Sequence, residues 1–142
     1  MNELVYRNLS EDAKRQICAW KYGGEYDLYN LPAYEEMQVR QIGFMNPKSE
    51  KNYYGFWDES ILVGFVNILE EKEEVFIGIG VNPDLCNKHY GQRMLLIAYE
   101  ISKKLYPNKP LYLEVRTWNT RAVKCYEKAG FRIDGQAYEL TT

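Results

Sequence analysis

The sequence predicts one α/β domain in which helices lie on the faces of a mixed β-sheet. A chain of 142 residues suits a single domain with one core. Segments with the apolar spacing of strands alternate with segments that have the spacing of helices, in the order β-α-α-β-β-β-α-β-α-β. The sequence contains neither internal repeats nor linker-like or low-complexity segments. We therefore expect residues 1–142 to form one unit.

The N-terminal half predicts a strand, two helices and a hairpin. Ser10 has the residue type of a helix N-cap, and the apolar residues after it recur at spacings of four and three. A tyrosine-rich loop, residues 22–32, separates this helix from a shorter one. The predicted strands of this half are residues 5–9, 53–57 and 61–69, and the second helix covers residues 33–41.

The C-terminal half predicts the longest helix of the chain, which lies between two strands. Apolar residues recur at spacings of four, three and four over residues 88–105, which indicates one buried helical face. Asn119 suits the N-cap of a last helix, and Gly130 suits the position just after its C-terminus. Strands are predicted at residues 75–81 and 111–115, with one or two more after Phe131.

Charge and composition exclude several kinds of function. Lys and Arg number 18 against 20 Asp and Glu, a net charge of −2, so the basic surface that nucleic-acid binding needs is not expected. The chain starts without an apolar signal core and has no apolar stretch of membrane-spanning length, which predicts a cytoplasmic protein that does not associate with membranes. Three separated cysteines and a single histidine favour reduced thiols and no metal site.

The segment that follows the strand at residues 75–81 carries the most specific chemical signal. A loop with Pro83 leads into the longest predicted helix, and the cationic residues Lys88 and Arg93 lie where that helix begins. Backbone N–H groups at a helix start lack partners within the helix, and the helix dipole adds positive potential there. Gly91 allows phosphate oxygens to approach the backbone. The turn can therefore hold a pyrophosphate.

This segment resembles the acetyl-CoA-binding motif of the GNAT superfamily of N-acetyltransferases, in which Gln/Arg-x-x-Gly-x-Gly/Ala follows a strand that ends in a Val-x-Pro-like sequence. Cys86 stands in place of the usual Gln or Arg, and His89 in place of the first glycine. Because the family's contacts are mostly main-chain amides, a histidine at position 89 is compatible with the motif if its φ is negative and its side chain is directed away from the phosphates.

The resemblance implies a mostly antiparallel sheet that is splayed where the cofactor binds, with acetyl-CoA as the acyl-donating cosubstrate and no metal. It also implies that main-chain amides of Ile79 and Val81 hold the pantetheine and polarise the thioester carbonyl. Gly78 and Gly80 suggest a bulge or a close backbone approach there. The expected cofactor-binding residues are Ile79, Val81, Asn87, Lys88, His89, Tyr90, Gly91, Gln92, Arg93 and Asn119.

A second motif lies in the last helical segment. Asn119 and Tyr126 are seven residues apart, which places them on the same helical face about 10 Å apart along the axis. A plain N-cap and a core aromatic are the structural alternatives. The segment is similar to the strand-then-helix motif of the GNAT family, which implies that Tyr126 is the general acid that protonates the departing thiolate. Asn119 would bind the cofactor or order a water near it.

The resemblance implies that the acceptor amine attacks the thioester directly, so a base has to remove a proton from the ammonium. A carboxylate near the start of the strand at residues 75–81, Glu74 or Glu73, can act through water, and we take Glu74 as the candidate. The alternative is that both residues belong to a solvated turn.

The tyrosine-rich loop supplies the expected amine site. Its aromatic residues, with Glu25 and Asp27 among them, resemble the variable segment that covers the acceptor site in the GNAT family, and such a lining suits a cation. We expect the acceptor to be a primary amine of a small molecule or of a peptide or protein, acetylated by a monomer or a homodimer. The expected substrate-binding residues are Trp20, Tyr22, Tyr26 and Tyr29.

Two other functions remain open on the sequence. Cys86 and His89 are three residues apart and can form a thiol–imidazole pair, although no third residue that orients them is identified. Alternatively, the domain is a non-catalytic acyl-CoA-binding or protein-interaction module with the same fold. Amine-dependent release of the CoA thiol distinguishes a catalyst from a binder.

Overall fold

A computed structural model describes residues 3–86, 88–115, 119–133 and 139–141 of the chain. Within these ranges the elements follow the predicted order. The strands form one sheet, and helices lie on both of its faces. The strands are β1 (Val5–Asn8), β2 (Tyr53–Asp58), β3 (Ile61–Glu70), β4 (Val75–Val81), β5 (Leu111–Glu114), β6 (Arg132–Ile133) and β7 (Glu139–Thr141). The α-helices are α1 (Glu11–Ala19), α2 (Tyr34–Arg40), α3 (Tyr90–Leu105) and α4 (Thr120–Lys128).

The strands form one sheet in the order β1-β2-β3-β4-β5-β7-β6. Every neighbouring pair is antiparallel except β4 and β5, so the predicted mixed and mostly antiparallel sheet is confirmed. The parallel pair has only two rungs among the described residues, Val75 with Leu111 and Phe76 with Tyr112. Beyond these rungs β4 and β5 are no longer paired, and the sheet has a gap between them.

Each face of the sheet packs against its own pair of helices. Helices α3 and α4 cover one face, where the apolar stripe of α3 packs on β3 and β4 with Met94, Leu95 and Ala98 fully buried. Helices α1 and α2 cover the other face and bury a second cluster that includes Ile17 and Phe44. The apolar residues at spacings of four and three thus become the core face of each helix.

The helix starts and ends agree with most of the sequence signals. Ser10 caps α1 by accepting a hydrogen bond from the Ala13 N–H, and Asn119 caps α4 in the same way from the Ala122 N–H. Gly130, after the end of α4, has a φ of +102°. The tyrosine-rich loop is more ordered than predicted, since Gly24–Tyr29 forms a 3₁₀ helix.

One condition set by the sequence analysis is not met, and one pair of alternatives is resolved. His89 precedes α3 with a φ of +67° rather than a negative φ, so it occupies the left-handed region that the family's glycine would occupy. Strand β4 has no bulge at its glycines, because its pairing with β3 runs in continuous register. Gly80 instead fits the alternative of a close approach, because a Cβ there would clash with Cε1 of Phe65 on β3. The glycine makes room for an aromatic ring on the α1–α2 side.

Candidate active site

A cavity of about 590 Å³ fills the gap where β4 and β5 diverge. Its walls include Ile79 and Tyr126, which pack in the cluster under α3 and α4. They also include Ile17 and Phe65, which pack in the cluster under α1 and α2. The cavity therefore passes through the sheet and is lined from both faces, so two molecules can enter it from opposite sides.

The start of α3 forms one wall, which we call the clamp half of the cavity. His89, Tyr90, Gly91 and Gln92 all line it. The N–H groups of the first helical turn have no acceptor within the helix, and the left-handed turn at His89 leads directly into them. A Cβ on Gly91 would lie 3.1 Å from Sγ of Cys125 on α4, so the glycine allows the two helices to pack closely at this point. This arrangement suits an anion bound by main-chain amides.

Tyr90 is held in place by a second segment of the fold. Its hydroxyl donates a hydrogen bond of 2.7 Å to Oδ2 of Asp58 at the end of β2, and this bond raises the pKa of Tyr90. The guanidinium of Arg93 lies 5.5 Å from the centre of the Tyr90 ring. Lys88 is exposed, and neither it nor Arg93 lines the cavity. Asn87 lies outside the described residues.

Helix α4 brings Asn119 and Tyr126 to the wall of the same cavity, as the seven-residue spacing predicts. The side chain of Asn119 is buried and uses both ends of its amide, because Oδ1 caps the helix and Nδ2 donates a 3.1 Å hydrogen bond to the Tyr29 hydroxyl. One N–H of this amide is left for a ligand. Burial raises the pKa of Tyr126, so its phenol keeps its proton at neutral pH.

Residues 20–31, which we call the roof, cover the cavity from the α1 side. Trp20, Tyr22, Tyr26 and Tyr29 all line it, so the structure brings the four predicted substrate-binding residues together. The Tyr22 hydroxyl donates a hydrogen bond of 2.6 Å to the carbonyl of Val81 at the end of β4. Tyr29 bonds to α4 through Asn119. The roof is therefore tied to both sides of the gap.

Arg121 on α4 places a cation beside the roof. It lines the cavity from the first turn of α4, and its guanidinium carbon lies 4.2 Å from the centre of the Tyr26 ring. This distance is typical of a cation–π contact. Sequence analysis missed Arg121, because its role depends on the docking of the roof on α4.

Sequence analysis also missed the carboxylate that lines the cavity. Glu114 ends β5 and contributes to the wall, with an exposed side chain. Its position next to the alternating leucines of a strand is the signal that could have revealed it. Glu74 and Glu73, in contrast, lie exposed in the turn between β3 and β4 and do not line the cavity. The structure therefore does not bring the candidate base Glu74 to the site.

The thiol–imidazole pair gains no support from the geometry. Sγ of Cys86 lies 3.8 Å from the carbonyl of Asn82, and burial raises the pKa of this thiol. His89 is exposed at the start of α3. A thiol with a raised pKa is a poor nucleophile at neutral pH.

The sequence matches the acetyltransferase (GNAT) family over residues 9–131. The chain belongs to this family. A GNAT domain is an acetyltransferase and uses acetyl-CoA as its cosubstrate, so the assignment favours catalysis over a non-catalytic binding module. A search of curated proteins finds no match to the sequence.

Solved structures of other GNAT acetyltransferases share the fold. One is from Bacillus anthracis, with 17% identity, a TM-score of 0.79 and coverage of 98% of this chain and 93% of that chain. A second is from Streptococcus pneumoniae, with 21% identity, a TM-score of 0.67 and coverage of 98% and 96%. The spermidine/spermine N-acetyltransferase SpeG from Vibrio cholerae has 19% identity, a TM-score of 0.69 and coverage of 97% and 89%.

The residues of the cavity fit acetyl-CoA. The N–H groups in the first turn of α3 have no acceptor within the helix and lie on the cavity wall, which suits a pyrophosphate. Lys124 and Lys128 line the same side and are complementary to phosphate. Within the described ranges no group of three or more His, Cys, Asp or Glu side chains is arranged to hold a metal ion. None of the described helices is both long and apolar enough to cross a membrane.

Proposed function

We propose that this GNAT enzyme transfers an acetyl group from acetyl-CoA to a primary amine of a small molecule or peptide by direct attack. The observation that carries the proposal is the cavity that passes through the sheet, with the clamp half on one side and the roof on the other. Such a passage lets a donor and an acceptor meet at the gap without a covalent enzyme intermediate.

When bound, acetyl-CoA supplies an activated acetyl thioester. The N–H groups at the start of α3 hold its pyrophosphate, with the cationic side chains of α4 nearby. Ile79 and Val81 lie at the end of β4 where the edge that faces β5 has no rungs among the described residues, and their backbones are available to the pantetheine arm. Asn119 has one N–H left with which to contact it. These contacts position the donor beside Tyr126.

Tyr126 and Glu114 carry out the proton transfers of the reaction. As the C–N bond forms and the C–S bond breaks, the Tyr126 hydroxyl donates its proton to the thiolate. The ammonium loses one proton to Glu114, directly or through water, before the attack, and the second proton that leaves the nitrogen as the amide forms restores the Tyr126 hydroxyl. We place the base at Glu114 rather than at Glu74, because Glu114 lines the cavity and Glu74 does not.

Calorimetry with acetyl-CoA, followed by amine-dependent release of the CoA thiol, tests this function. We expect saturable binding and a melting temperature that rises with acetyl-CoA concentration. Gly91→Glu should abolish both, because it places bulk and negative charge between α3 and α4. Leu96→Glu adds the same charge at an exposed site on α3 and should bind normally. The absence of any binding heat or thermal shift in the wild-type protein would refute the proposal.

A further inference from the structure

The half of the cavity on the α1–α2 side, which we call the acceptor half, is walled by apolar side chains. Trp20 and Phe65 form its aromatic part, with ring centres 6.4 Å apart. Aliphatic residues from α1 and the roof complete it, Ile17 being fully buried and Leu31 half-buried. A molecule that enters this half loses most of its water and gains contact with hydrocarbon.

The charges that line the cavity suit one ammonium group and oppose a second. Glu114 provides a carboxylate at the end of β5, beside the gap where β4 and β5 diverge. Arg121 places a guanidinium in the wall under the roof, where it repels another cation. Glu25 and Asp27, which were expected to accompany the aromatics, are exposed and do not line the cavity.

We propose that the preferred acceptor is a monoamine with an apolar body, an alkylamine or arylalkylamine whose ammonium pairs with Glu114 and whose chain packs against Trp20 and Phe65. This inference rests on the proposed acetyl transfer to an amine and specifies its substrate. The reaction converts R–NH₃⁺ and the acetyl thioester into the N-acetyl amide, the free CoA thiol and one proton. A second ammonium on the chain would be desolvated among apolar side chains without a partner.

This acceptor class differs from the one named in a structural neighbour. SpeG from Vibrio cholerae is a spermidine/spermine N-acetyltransferase, and its substrates carry several ammonium groups. At 19% identity, the similarity between this chain and SpeG concerns the fold alone. The acceptor half described here is lined mainly by aromatic and aliphatic side chains, and the charged side chain under the roof is a guanidinium, which disfavours a polycation.

Two amines of equal length provide the decisive comparison. Hexylamine and 1,6-diaminohexane share the reacting group and the six-carbon chain and differ in the second ammonium. With saturating acetyl-CoA, we expect kcat/KM for hexylamine to exceed that for the diamine by about 10–100-fold, the range over which one pocket group discriminates. From butylamine to hexylamine, kcat/KM should rise about fourfold per methylene as apolar surface is buried. Calorimetric titration with each amine should give the same order of affinities.

Two variants of roof residues test whether the acceptor half causes the discrimination between hexylamine and the diamine. Leu31→Glu puts a carboxylate in the acceptor half and should lower the hexylamine-to-diamine ratio at least about tenfold, since the second ammonium gains a partner. Leu28→Glu makes the same change on the exposed side of the roof, where the side chain is 47% accessible, and should leave the ratio unchanged. The wild-type ratio decides the inference even if Leu31→Glu fails to fold.

The outcomes separate this inference from the proposed function. Equal or faster turnover of the diamine, or no turnover of hexylamine in a protein that binds acetyl-CoA, overturns the monoamine inference and leaves the donor site standing. Failure to bind acetyl-CoA overturns the proposed function itself. A ratio that Leu28→Glu changes as much as Leu31→Glu also contradicts the inference, because the effect would then be one of overall charge.

Discussion

The clamp half and the roof are built from different parts of the chain. The clamp half is mainly backbone: N–H groups at the start of α3, a left-handed turn at His89 and the close helix packing at Gly91. The roof is mainly side chains: two tyrosine hydroxyls and an aromatic ring under Arg121. A backbone site tolerates changes of residue type as long as the turn is kept, whereas a side-chain site does not.

This contrast explains why the GNAT sequence motif describes the clamp half better than it describes the roof. Cys86 and His89 depart from the GNAT pattern, yet the turn that they form still exposes the N–H groups of α3. The roof has no family pattern to follow, and each of its contacts depends on one particular hydroxyl or ring. Substitutions that remove single atoms can therefore test which region depends on which chemistry.

Tyr126→Phe should have the largest effect, because it removes the proton donor and keeps the packing ring. We expect kcat to fall by about 10²–10⁴, while the affinity for acetyl-CoA measured by calorimetry stays the same. Tyr112→Phe is the matched control, since the Tyr112 hydroxyl bonds to Glu71 away from the cavity. A lower melting temperature with normal turnover would make Tyr126 a packing residue only.

The pH dependence should reflect the amine rather than the tyrosine. Burial raises the pKa of Tyr126, so its proton stays in place above the pH at which an ordinary tyrosine ionises, near 10. The free-base fraction of an alkylamine grows about tenfold per pH unit below its pKa. We expect kcat/KM to rise from pH 7 to pH 10 with no descending limb. A descending limb below pH 10 that is absent in Tyr126→Phe would contradict this assignment.

Tyr22→Phe should destabilise the fold, because it leaves the Val81 carbonyl without its donor. Loss of a buried partner costs about 1–3 kcal/mol of the free energy of unfolding, measured by urea denaturation. KM for the amine should also rise, since the roof loses its tie to β4. Tyr99→Phe, on the exposed surface of α3, is the control and should leave both quantities unchanged. Equal destabilisation by the two variants would show that the Tyr22 hydrogen bond contributes nothing specific.

His89→Gly should have the smallest effect and the opposite sign. Relief of the left-handed φ is expected to raise the free energy of unfolding by about 0.5–1 kcal/mol, after the added flexibility of glycine in the unfolded chain is allowed for. Because the clamp half is built from backbone, the affinity for acetyl-CoA should not change. Weaker binding in this variant would show that the imidazole contacts the ligand.

Most of the fold could be predicted from the sequence, because periodicity and caps are local signals. The helix caps at Ser10 and Asn119 and the strand Val75–Val81 are examples that agree with the structure. Two details could not be predicted, because each depends on the structure around it. The φ of His89 is set by the turn into α3, and Gly80 is needed because of a ring on the neighbouring strand.

The site was predictable where the sequence resembles a family and unpredictable where the fold brings distant segments together. Tyr126 and the four roof aromatics were found and lie on the cavity wall. Glu114 and Phe65 were missed, since a carboxylate at a strand end and an aromatic in a strand carry no signal until their neighbours are known. Glu74 was proposed from proximity along the chain, and the register of β4 places it at the paired end of the strand, away from the gap.

The two rungs between β4 and β5 also have a mechanical consequence. Because β4 and β5 share so few hydrogen bonds, the sheet is nearly divided into two parts. One part ends at β4, and the other begins at β5. The roof spans the boundary between these two parts. Tyr22 forms a hydrogen bond to Val81 in the first part, and Tyr29 forms one to Asn119, the N-cap of the helix that follows β5. The segment that we propose to select the amine therefore also links the two parts of the sheet, and we expect its two phenols to help these parts unfold as one cooperative unit.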